Sequence, residues 1–124
     1  MFNRSKPNPS EKNKSHLKNL MAIAMADGRL AEEERHILIS VAHRMGLSEE
    51  EVQMVQDNPD SVKFTPPKEY DEKMEQIYDF ISLMSVDSDI DPSEVEVCRK
   101  LALHLDLAPR IVDDLLEKFF GNLK

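Results

Sequence analysis

The chain has one cysteine, Cys98, no tryptophan, three glycines and no long apolar run. One cysteine excludes an internal disulfide framework and any CxxC-type zinc site. The chain contains no glycine-rich phosphate loop, nucleophile elbow or HExxH pair. The longest apolar run, Leu20-Met21-Ala22-Ile23-Ala24-Met25-Ala26, falls far short of the roughly 20 residues a membrane span needs. The opening Met1 to Pro9 carries no apolar core of a signal peptide. Basic charge is also in short supply, with 16 Lys and Arg against 24 Asp and Glu, for a net charge of −8. That balance argues against nucleic-acid binding by a folded body, because neutralising phosphates takes a basic face.

The charge is unevenly spread. Arg4, Lys6, Lys12, Lys14 and Lys18 face only Glu11 within residues 1–18, a local +4, and residues 19–124 carry −12. Residues 1–10 are polar and proline-containing, and they are expected to form a disordered basic leader. Residues 11–124 are expected to form a single helical domain. A cytoplasmic location is the default expectation, and peripheral membrane association stays open.

Period-two alternation is scarce, and apolar spacing of three and four recurs. Leu17, Leu20, Met21 and Ala24 predict a helix from Ser10 or Glu11 to Ala26, broken by Asp27-Gly28. Ile37, Leu38, Val41, Ala42 and Met45 form a second stripe that Gly46 stops as a left-handed residue would. Ser48 with Glu51 reads as a capping box opening a third helix, which Asn58-Pro59 ends. After Pro66-Pro67, Ile77, Phe80, Ile81 and Met84 restart the programme. Asp91-Pro92-Ser93-Glu94 reads as an N-cap, a proline at the first helical position and a glutamate reaching back. Pro109 opens a last helix with Ile111, Val112, Leu115, Leu116 and Phe119 inward. The expected fold is all-α, with six or more helices in two pseudo-symmetric repeats of about residues 15–57 and 68–118.

The halves align at a constant offset without a gap: Asp27 on Asp87, Leu30 on Ile90, Glu34 on Glu94, Ala42 on Ala102 and Leu47 on Leu107. Apolar matches are common to any two amphipathic helices, but the acidic matches are not core positions. Each half reads Asp-x-x-[Leu/Ile]-x-x-x-Glu across a helix–loop–helix junction. Such a turn can bring two carboxylates together, and close carboxylates favour a hard divalent cation. Asp89 and Asp91 add charge to the second junction. The plainer alternative makes Glu94 a partner of the Asp91 cap and Glu32-Glu33-Glu34 a solvated helix start. An EF-hand is excluded, because its loop would need Gly and Glu where Pro92 and Cys98 stand. Cys98 aligns with Leu38 and reads as a small core residue. His36 and His43 read as flanking polar groups.

Ala26-Asp27-Gly28-Arg29-Leu30-Ala31-Glu32-Glu33-Glu34, followed by Gly46-Leu47-Ser48, resembles the TerB-like family. That family includes tellurite-resistance protein TerB and a domain preceding the J-domain in some membrane-anchored DnaJ-like co-chaperones. The second half keeps Asp87, Ile90 and Glu94 but has Ser88 where Gly28 stands. The resemblance implies an all-helical fold with internal pseudo-two-fold symmetry and an acidic surface for divalent cations, with Asp27, Glu34, Asp87 and Glu94 as the matching acids. The resulting expectation is a non-enzymatic module that binds Ca²⁺ or Mg²⁺ and acts in a tellurite-resistance-type stress response or membrane-associated complex with a protein partner. The alternative is a metal-independent, co-chaperone-like interaction domain.

Overall fold

A computed structural model describes residues 9–86 and 90–121 of the chain. Six α-helices follow one another: α1 (Pro9–Ala24), α2 (Glu32–Arg44), α3 (Glu49–Asp57), α4 (Tyr70–Ser85), α5 (Pro92–His104) and α6 (Arg110–Phe120). A 3-10 turn, Pro59–Ser61, follows α3. The described residues include no strand, so the all-α expectation holds. No helix among them is long and apolar enough to cross a membrane.

The central element is α1, which packs against α2, α3, α4 and α5. Leu17, Leu20, Ile23 and Ala24 are fully buried on it, and Ser15, His16 and Asn19 are buried beside them. An amphipathic surface helix buries one stripe; α1 buries more than half its circumference, so its polar side chains need partners inside the protein. Ser15 Oγ accepts from Thr65 N at 2.8 Å, Asn13 Nδ2 donates to Met45 O at 3.2 Å, and Lys18 Nζ donates to Val62 O at 3.1 Å. These bonds tie the connections after α2 and α3 to the central helix. The helix begins at Pro9, one residue ahead of the expected start at Ser10 or Glu11, and ends two residues before Ala26.

The punctuation expected from the sequence is present at atomic level. Ser48 caps α3: its hydroxyl accepts from Glu51 N at 3.1 Å, and Ser48 N donates to Glu51 Oε1 at 2.9 Å. Gly46 sits at φ 76°, and Leu47 N reaches Ala42 O at 3.0 Å, a bond that satisfies a carbonyl at the end of α2. At the end of α5, Leu107 N bonds Ala102 O at 2.9 Å in the same way, with Asp106 at φ 64° in the glycine's place. The helices α2 and α5 begin and end at positions that the alignment of the halves makes equivalent, Glu32 with Pro92 and Arg44 with His104. Leu30 and Ile90 pack against the core at the two junctions. Cys98 is fully buried, and burial pushes its thiol up to about 12, which keeps it an unreactive core residue.

Candidate functional site: a buried carboxyl pair at the helix starts

Glu34 and Glu94 occupy the third positions of α2 and α5, where the helix macrodipole favours negative charge. Both are almost wholly buried, at 3% exposure each. Glu34 Oε1 accepts from Ala31 N at 3.1 Å, closing the start of α2 on itself. The Glu94 carboxyl does not make the expected return contact to its own cap. It hydrogen-bonds Glu34 across the junction of the two halves. The Asp91 cap is instead satisfied by the Ser93 backbone N–H at 2.7 Å and by the Ser93 hydroxyl. This is a correction to the capping role of Glu94: its carboxyl goes inward, and its helix start is held by the Asp91 carboxylate, which accepts from Ser93 and from the Glu94 backbone N–H.

Two carboxyl groups this close inside a protein cannot both ionise without a counter-charge. Burial, the hydrogen bond to Glu34 and the charges of Glu34, Asp27 and Asp91 push Glu94 up to about 9. Around neutrality Glu94 therefore holds a proton and donates it to Glu34. Asp27 lies on the exposed rim, where its Oδ1 accepts from Arg29 N at 3.0 Å and shapes the turn around Gly28. Gly28 takes φ 85° there, a conformation that glycine adopts without the steric cost of a Cβ.

The structure thus brings Glu34 and Glu94 together and keeps Asp27 and Asp91 within electrostatic reach of them. Asp87 and Asp89 lie outside the described residues. Among the described residues no three His, Cys, Asp or Glu side chains converge as a metal site would require. His36 is exposed, 3.9 Å from Glu32, and His104 meets the edge of Phe64. Neither histidine joins the carboxyl pair through these contacts.

One polar cluster escaped the sequence reading. Asp79 on α4 binds His16 on α1 (Nε2 to Oδ2, 2.7 Å) and Arg44 on α2 through both guanidinium nitrogens, at 2.6 and 3.2 Å. Burial would raise the Asp79 carboxyl, but hydrogen bonds from His16 and Arg44 outweigh it and hold the group below its ordinary value. His16 Nδ1 is buried with no partner. No spacing signal could reveal this trio, because 63 residues separate His16 from Asp79. Its signal in the sequence was negative: a histidine and a serine on the apolar side of an otherwise regular helix.

Residues 4–57 match the family model described as Tellurite resistance protein TerB. That stretch is just under half of the chain and contains Asp27 and Glu34, so the TerB resemblance is borne out there. No curated protein and no solved structure matches the chain significantly.

Proposed function

From the match of residues 4–57 to the TerB model and the all-helical fold, we propose a non-enzymatic module of the tellurite-resistance kind whose two halves are joined by a divalent cation. The Glu34–Glu94 pair would hold the ion, and the charges of Asp27 and Asp91, within electrostatic reach of Glu94, would favour a cation there. The observation that supports this reading is the buried meeting of two carboxyl groups from two helix starts. Such a pair is costly unless neutralised, and hard cations such as Ca²⁺ and Mg²⁺ prefer carboxylate oxygens. A bound ion would supply positive charge at the seam, relieve repulsion there and fix the angle between α2 and α5, presenting a defined surface to a protein partner.

A second reading has support in the same pair. The proton on Glu94 satisfies both carboxyl groups without any metal, which suits an interaction domain that works independently of cations. Calorimetric titration with Ca²⁺, Mg²⁺ and Mn²⁺, on the native protein and on Glu34→Gln with Glu94→Gln, separates the two. Saturable binding that the double substitution abolishes, at unchanged helicity, supports cation bridging. No binding heat, or equal heats from both proteins, removes it in favour of the metal-independent module.

A further inference from the structure

Between α1, α2 and α3 lies an open cavity of about 710 Å³, within the range of sites that bury small ligands. Its walls are mainly apolar, including Met21 from α1, Met25 just past its end, Ile39 from α2 and Val52 from α3. Met25 and Ile39 are about half exposed, at 48% and 52%. Methionine side chains adapt to irregular apolar ligands.

At the equivalent positions of the second half the side chains pair with one another. Tyr78 and Phe119 are the counterparts of Lys18 and Pro59, and their rings meet at 6.0 Å. Arg99 and Asp113 are the counterparts of Ile39 and Gln53, and they pair at 2.7 Å. One half therefore joins these positions through an aromatic contact and an ion pair, whereas in the other the corresponding residues line a groove.

The charges at the groove indicate the occupant. Lys18 and Arg35 line it against one acid, Glu49, in a chain of net charge −8. Lys18 uses one donor on Val62 O and, as an ammonium, has two more. Among the described residues no carboxylate pairs with the Arg35 guanidinium. An apolar channel beside two cationic groups is complementary to an alkyl chain ending in an anion.

We propose that this groove binds a free long-chain carboxylate, its alkyl chain along Met21, Met25, Ile39 and Val52 and its head at Lys18 and Arg35. The full chain is titrated with decanoate, dodecanoate and dodecyltrimethylammonium, each below its micellar concentration. One molecule of dodecanoate is expected per chain, with affinity rising about fifteenfold for each two methylenes, since a buried methylene is worth close to fourfold. The cationic amphiphile binds at least tenfold more weakly. Ala22 is exposed in the groove wall, so Ala22→Trp fills the channel from outside the core and abolishes binding while helicity is retained. Lys18→Glu with Arg35→Glu removes the preference for the anion. Non-saturable binding, equal affinity for both head groups, or indifference to both Ala22→Trp and Ile39→Trp overturns the proposal. So does an acidic amphipathic peptide that binds where dodecanoate does not, since that assigns the groove to a protein partner.

Discussion

At Glu94 one proton links folding stability to pH above the ordinary glutamate range. The unfolded chain releases this proton near the ordinary glutamate value of 4.5, and the folded chain holds it up to about 9. Between those values the native state binds more protons, so its stability falls as pH rises. Glu94→Gln keeps a neutral hydrogen-bonding group facing Glu34 and removes the titration. In chelator-containing buffer, the variant is expected to lose at least ~1 kcal/mol less stability than the native protein between pH 5 and pH 8. Parallel urea-denaturation curves at the two pH values would contradict this. Sequence pattern located Glu34 and Glu94 at equivalent helix starts but left their direction open. A glutamate three residues into a helix can turn back to its cap or inward, and only tertiary packing decides. Glu34 does both, while Glu94 goes inward.

The helices themselves were largely legible because their ends carry specific chemistry. Gly46 and the Ser48 cap each force a local conformation that needs no tertiary partner. The end of α5 shows what happens when that chemistry is imperfect: Asp106 occupies the left-handed position at φ 64°, which costs more for a residue with a Cβ than for glycine. Asp106→Gly is therefore expected to stabilise the protein by ~0.5–1 kcal/mol, seen as a raised urea midpoint. A fall in the midpoint would show that the aspartate side chain is needed there. What periodicity could not foretell was the burial of α1. Its apolar spacing describes one stripe, but neighbours on several sides also cover Ser15, His16 and Asn19. The His16–Asp79–Arg44 trio and the open groove follow from that placement, and both depend on contacts remote in sequence.

Over the whole molecule two of the more buried carboxyl groups, shifted in opposite directions, bracket a stability optimum. Asp79 sits below its ordinary value of 3.8, so its contribution is present above that value and is lost as pH falls through the folded one. Glu94 works in the other sense above 4.5. The maximum is expected near pH 5, close to the isoelectric point of about 5.0, where the net charge and the repulsion it causes are also smallest. A urea midpoint that is higher at pH 8 than at pH 5 would refute this. Asp79→Asn moves the acid limb alone and leaves the decline toward alkaline pH in place.

The central position of α1 has a consequence for folding order. Its apolar residues Leu17, Leu20 and Ile23 come early in the chain, yet the surfaces that cover them include α4 and α5, which end at residues 85 and 104. During synthesis this helix must wait, partly uncovered, until most of the chain has followed. Residues 4–57, the stretch of TerB-type sequence, contain α1 but neither of those two walls. Cut at residue 57, the chain would keep the matched stretch and lose two of the four helices that cover α1. The similarity ends midway through a unit that completes its core only with the second half.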